Sequence, residues 1–136
     1  MKVFLSHAHS DRVLARKVAD VLQESGLEVW NEEREVLPGD NWAEKVNKAL
    51  RESEAMVVLL TPDAVRSSHV RREIEFALGE RKYNQKLIPV VVGSAADFDE
   101  DKIPWILSRL DPISLPKQGV RKERIRRIAK ALSEAA

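Results

Sequence analysis

Apolar and polar positions follow one another along the chain in a repeating strand-and-helix rhythm. Val3-Phe4-Leu5 is a short apolar run that predicts a buried strand, and the polar run Ser6 to Asp11 predicts a loop carrying helix-capping residues. Leu14, Val18, Val21 and Leu22 recur at helical spacing as far as Gly26, which suits a helix stop. Leu27 to Trp30 predicts a second strand, and Asn31 to Asp40, with its turn pair Pro38-Gly39, a charged loop. Asn41 with Glu44 three positions on has the form of a capping box, opening a helix with Trp42, Val46, Ala49 and Leu50 on one stripe. Ala55 to Leu60 is unbroken apolar sequence, the pattern of a parallel strand covered on both faces, and Thr61-Pro62-Asp63 ends it. A helix is predicted from Ser67 or Ser68 to about Tyr83, with Val70, Ile74, Ala77 and Leu78 inward, followed by a strand over Leu87 to Val92. The stretch Gly93 to Pro104 has no clear period. A short strand near Ile113 and a helix from about Arg121, gathering Ile125, Ile128, Ala129 and Leu132, complete the pattern.

Alternating strands and helices with wholly apolar central strands predict an α/β, flavodoxin-like three-layer fold. It has a five-stranded parallel sheet of order 2-1-3-4-5 with helices on both faces. The 136 residues suffice for one domain, residues 1–136, with one core. In such sheets ligands bind beyond the carboxyl ends of the strands at the topological switch point, here the ends of the first and third strands. Ser6 to Asp11 and Thr61 to Ser68 are therefore the loops in which chemistry is expected.

Composition narrows the choice by exclusion. Lys and Arg number 23 against 22 Asp and Glu, a formal charge of +1, so the total points to neither a polyanion nor an acidic partner. A 43% hydrophobic and 33% charged chain matches a soluble globular domain. The absence of cysteine excludes disulfides, thiolate metal sites and cysteine nucleophiles, and a reducing, cytoplasmic setting is expected. The apolar start is too short for a signal-peptide core or a membrane span, so no membrane partner is expected. The scattered glycines write neither a dinucleotide fingerprint nor a Walker loop, and there is no Ser-centred elbow. Ser6-His7 and Leu60-Thr61 stand where a phospho-acceptor receiver domain needs acidic residues. His7-x-His9 lacks further ligands, so no metal site is expected. The basic stretch Lys117 to Lys130 shares its helix with apolar residues at core spacing and reads as a solvated face rather than a nucleic-acid interface.

One carboxylate is distinguished by position. At about 100° per residue, Glu73 falls at the edge of the Val70/Ile74/Ala77 stripe and is expected to be half-buried, whereas Glu75 points to solvent. His69, one turn earlier, lines the same face. A carboxylate fenced by apolar groups near the sheet's carboxyl edge suits glycosidic bond cleavage, where it stabilises an oxocarbenium-like transition state. The plain alternative is an edge glutamate paired with Arg71 or another nearby base.

The chain resembles a Toll/interleukin-1 receptor (TIR) domain of the bacterial type. The resemblance rests on five pieces in order: Val3-Phe4-Leu5-Ser6-His7 with Asp11; Gly26-Leu27-Glu28-Val29-Trp30; Pro38-Gly39-Asp40-Asn41-Trp42; Val57 to Pro62; and Ser68-His69-Val70-Arg71-Arg72-Glu73-Ile74. It implies cleavage of NAD+ at the nicotinamide glycosidic bond, giving ADP-ribose or a cyclic isomer, with NAD+ as substrate and no resident cofactor. Glu73 is the catalytic residue it implies. The family pattern there is often W-x-x-x-E, and this chain has His69-x-x-x-Glu73. The same resemblance puts Ser6, His7 and Asp11 in the cleft from the first-strand loop, and Trp30, Glu33 and Gly39 from the second-strand end and the BB-type loop, Asn31 to Asp40. Trp30 and Trp42 equally fit the core, and Asp11 equally fits an N-cap. The resemblance further implies self-association through the BB-type loop, a sensor or effector partner, and a role in defence against phage. Two rivals stand beside it: a non-catalytic TIR-to-TIR interaction module, and a nucleoside deoxyribosyltransferase of similar fold.

Overall fold

The computed structural model describes residues 1–94, 98, 110 and 112–135. The chain runs β1 (Lys2–Ser6), α1 (Arg12–Glu24), β2 (Glu28–Trp30), α2 (Glu32–Glu35), α3 (Trp42–Glu52), β3 (Ala55–Leu60), α4 (Pro62–Arg66), α5 (Ser68–Gly79), β4 (Leu87–Val92), β5 (Ile113–Leu115) and α6 (Lys122–Ala135). The strands form one parallel sheet of order β2-β1-β3-β4-β5. This is the flavodoxin-like arrangement that the sequence predicts.

Side-chain alternation along the strands builds two cores. Val3, Leu5, Ala55, Val57 and Leu59 pack against α1 and α6, while Phe4, Met56, Val58 and Leu60 pack against α3 and α5. Every residue of β3 is buried, as its unbroken apolar run requires. On α6, Ile125, Ile128, Ala129 and Leu132 are buried and Arg124, Arg126, Arg127 and Lys130 are exposed, so the basic stretch is the outer face of a core helix. No helix among the described residues is long and apolar enough to cross a membrane.

The structure departs from the predicted elements in four places. The segment Asn31 to Asp40 is not all loop: Asn31 Oδ1 accepts the Glu33 N–H at 3.1 Å and caps the single turn of α2. A further short helix, α4, follows β3, with the Thr61 hydroxyl accepting from Ala64 N–H at 3.1 Å and Pro62 in the first turn. The following helix stops at Gly79 rather than near Tyr83, because Glu80 is extended, and a separate 3-10 turn spans Arg81–Tyr83. Leu78 is 39% exposed at the rim of a cavity of about 340 Å³ that Tyr83, Leu87 and Leu110 also line. Of the stretch Gly93 to Pro104, residues 95–97 and 99–104 lie outside the described residues.

Helix boundaries otherwise follow local chemistry. Gly26, at φ +93°, carries the chain out of α1 while Leu27 N–H returns to the Leu22 carbonyl at 3.1 Å. Asn41 Oδ1 accepts from Glu44 N–H at 3.2 Å and starts α3. Ser67 Oγ caps α5 through Val70 N–H at 3.4 Å, which sets the first turn of that helix beside the end of β1.

Candidate active site

β1 pairs with β3 so that Ser6 lies beside Val58, and alternation places both on the face that α5 covers. Glu73, in the second turn of α5, meets Ser6 there. The Ser6 hydroxyl donates to Glu73 Oε1 at 2.7 Å, and the two residues are 1% and 4% exposed. Glu73 is thus fully buried rather than half-buried, because its side chain turns inward to Ser6 at the end of β1. Glu75 is exposed.

A cleft of about 170 Å³ opens between α3 and α5, lined by Trp42, Val46, Leu50, His69, Glu73 and Phe76, with Arg72 at its margin. The carboxyl is therefore removed from bulk water yet borders a space that a ligand can enter. Burial holds Glu73 far above the ordinary carboxylate range, at about 8; the Ser6 hydrogen bond and nearby Arg72 oppose the rise, and the charge of Glu32 adds to it. At neutral pH the free site holds a protonated acid. A cation placed against it favours the ionised form, which is the condition for stabilising positive charge during bond cleavage.

His69 is pinned at both ring nitrogens. Nε2 lies 3.1 Å from the His7 carbonyl, an acceptor only, so Nε2 carries the proton, and Nδ1 takes the Ser67 hydroxyl at 2.9 Å. The ring ties the start of α5 to the loop after β1 and lies perpendicular to the Trp42 ring, centroids 5.8 Å apart at 90°. His7 is 3% exposed; its Nδ1 donates to the Ala8 carbonyl at 2.8 Å, and its Nε2 lies 3.4 Å from Asn31 Oδ1. Ser6, His7, His69 and Glu73 are thus brought together along the first two turns of α5.

The other residues that the sequence singles out lie elsewhere. Asp11 sits at the start of α1 without capping it; its carboxylate accepts the Thr61 hydroxyl at 2.5 Å. It lines a separate crevice of about 310 Å³ with Leu14, Pro62, Asp63 and Lys117. Burial, reinforced by Asp63, holds the Asp11 carboxyl above its usual range. Trp30, 8% exposed, stacks flat on Phe4 at 5.0 Å and is core. Glu33 faces His9, Oε1 to Nδ1 at 3.3 Å, and Gly39 is an exposed turn residue at φ +92°. Sequence reasoning gave no site role to Trp42, Glu32, Arg72 or Phe76. The position of Trp42 carries a signal of its own, since the first turn of a helix at the sheet's carboxyl edge is where an apolar stripe runs out of core to cover.

Comparison with known proteins agrees with this architecture. A 2' cyclic ADP-D-ribose synthase of Acinetobacter baumannii is 29% identical over 87 residues, 63% of this chain and 32% of that protein. An NAD(+) hydrolase of a Theionarchaea archaeon is 28% identical over 87 residues, 63% of this chain and 26% of that protein. The matched stretch thus spans about a third or less of either relative. Among solved structures, a metazoan TIR-STING receptor from C. gigas superposes with a TM-score of 0.78 at 25% identity, covering 96% of this chain and 39% of that one. The TIR domain of a Toll-related receptor from Hydra magnipapillata superposes at 0.67 with 18% identity, covering 82% of each chain, which shows the shared fold. A family model described as the TIR domain matches residues 3–134, nearly the whole sequence, and the chain belongs to that family.

Proposed function

We propose that this chain cleaves NAD+ at the bond between nicotinamide and ribose. The observation that carries the reading is the Glu73 carboxyl, buried, hydrogen-bonded by Ser6 and bordering a cleft sized for one planar ring. The names of the Acinetobacter and archaeal relatives, a 2' cyclic ADP-D-ribose synthase and an NAD(+) hydrolase, support it.

The substrate brings its own positive charge, on the pyridinium ring. When that ring occupies the cleft, Glu73 releases its proton to solvent water and its carboxylate faces the anomeric carbon. The carbon–nitrogen bond breaks with its electron pair going to nicotinamide, which leaves neutral, and the cation left on ribose is held by Glu73. Water, losing a proton, captures it to give ADP-ribose; capture by a nucleophile of the same molecule gives a cyclic isomer, the product class in the relatives' names. A cleft of about 170 Å³ is smaller than the roughly 300–1,000 Å³ of pockets that enclose drug-sized ligands. The rest of the dinucleotide therefore lies outside it, which favours a site completed by self-association through the Asn31 to Asp40 segment. Leu37, 62% exposed on that segment, is available for such a contact. Activation by assembly, and a place in defence against phage, rest on the resemblance in sequence.

Concentrated or artificially clustered protein incubated with NAD+ and resolved by chromatography tests the reading and identifies the product in one run. Nicotinamide release is expected, with Glu73→Gln reducing it at least a thousandfold. Equal release by that variant refutes the assignment, and no turnover in any assembled state favours a pure interaction module.

A further inference from the structure

Trp42 behaves unlike a core residue. Trp30 spends its aromatic surface on Phe4 inside the protein, whereas Trp42 is only half-buried and forms part of the cleft wall. It is nevertheless held at two points. Its indole Nε1–H donates to Glu32 Oε1, and its ring meets His69 edge-to-face. A large flat side chain fixed in an open cleft is a preorganised binding surface, since the ordering of its rotamer precedes the ligand. Across the same space stand the Glu73 carboxyl and the Phe76 ring.

Such a cleft discriminates by charge and shape. A planar cationic heteroaromatic ring gains attraction from the indole face and from a carboxylate at its edge. An uncharged dihydropyridine ring lacks the charge attraction to both.

We propose that Trp42 is a specificity-determining residue, the aromatic wall that receives a cationic pyridinium ring, and that Glu32 is its positioning residue. The inference rests on NAD+ being the substrate and adds which part of it the cleft recognises. The oxidised dinucleotide, with its flat charged ring, is selected over the reduced one. Glu32 acts through Trp42: from α2 it takes the indole hydrogen bond and so sets the angle of a ring carried by α3. Its charge also reaches Glu73, where it opposes ionisation, so the same residue influences the pH response of the site.

The probe is 1-methylnicotinamide, which carries the cationic ring without a sugar to cleave, with neutral nicotinamide as control. Binding to the purified chain is followed at pH 8.5 by quenching of tryptophan fluorescence and by the indole–pyridinium charge-transfer absorption. The wild-type chain binds the cation about tenfold more tightly than nicotinamide. Trp42→Leu weakens cation binding roughly tenfold and loses the charge-transfer band, while Trp42→Phe keeps binding within about threefold. Glu32→Gln, which retains an oxygen for the indole N–H, keeps the band and moves the pH midpoint of cation binding downward; Glu32→Leu weakens binding. Far-UV circular dichroism establishes that each variant is folded, and where Trp42→Leu is not, the Trp42→Phe and Glu32→Gln measurements decide. The inference is overturned if the wild type binds no cation, if nicotinamide binds as well, or if folded Trp42→Leu binds and quenches like the wild type. Cation binding on Trp42 without nicotinamide release from NAD+ removes the cleavage reading alone, and cleavage with an unchanged KM in Trp42→Leu removes this inference alone.

Discussion

Glu73→Gln separates the cost of burying an acid from everything else that titrates in the protein. In the unfolded chain the carboxyl titrates near 4.5, and in the fold at about 8. Below 4.5 both states hold the proton and stability is full. Between 4.5 and 8 the unfolded chain gives the proton up while the fold retains it, so stability falls by about 1.4 kcal/mol for each pH unit. Above 8 both states are ionised and the loss is complete, at most about 4–5 kcal/mol. Glutamine is close in size and still offers Ser6 an oxygen, so the variant avoids this loss without opening a cavity. At pH 4.5 the two proteins are expected to unfold at nearly the same urea concentration. At pH 8.5 the variant is expected to be more stable by about 3–4 kcal/mol, on the order of 10 °C in Tm for a domain of this size. Taking the difference between the two chains at each pH cancels every other titrating group. A gap that stays constant from pH 4.5 to 8.5, with equal m-values, refutes the raised titration and with it the protonated resting state of the site.

Three further outcomes follow from named contacts. Ser6→Ala removes a donor that favours the ionised carboxylate, so the pH profile of NAD+ cleavage is expected to move to higher pH and activity at pH 7 to fall about tenfold, since a hydrogen bond to a charged group is worth about 1.5–3 kcal/mol; an unmoved profile contradicts it. Thr61→Val deletes both the cap of α4 and the donor to Asp11, and a loss of about 2 kcal/mol is expected in urea unfolding, with the Asp11 carboxyl titrating higher still by NMR. Self-association, measured by sedimentation velocity, is expected to weaken as salt rises from 0.1 M to 1 M and the screening length falls from about 10 Å to about 3 Å. The reason is that α2 carries Glu32, Glu33 and Glu35 beside Arg34 while α6 presents Arg124, Arg126, Arg127 and Lys130 on another surface; salt-independent association removes that reasoning.

How much of this was legible in the sequence depends on the distance over which each feature is decided. The continuous apolar runs of β3 and β4 and the capping residues of α3 and α5 act locally, and these elements start where their patterns predict. The helices α2 and α4 are too short for any periodicity, although Asn31 and the pair Thr61-Pro62 carried their start signals. Reading β1 as Val3 to Leu5 hid a stronger clue. Extending the strand by one residue, as its pairing with Val58 does, puts Ser6 on the face of Phe4 and beneath α5, where it meets a carboxylate 67 residues away. Glu73 and Trp42 were ambiguous for a related reason. Each sits where a helix stripe ends, and only the neighbouring helix decides whether that position becomes interior, cleft or surface. The chemistry of the site is therefore a property of packing between α3 and α5 and the end of β1 rather than of any one motif. Where the W-x-x-x-E pattern has an aromatic this chain has His69, yet the cleft is not bare of aromatic side chains: α3 supplies Trp42, which lies perpendicular to His69.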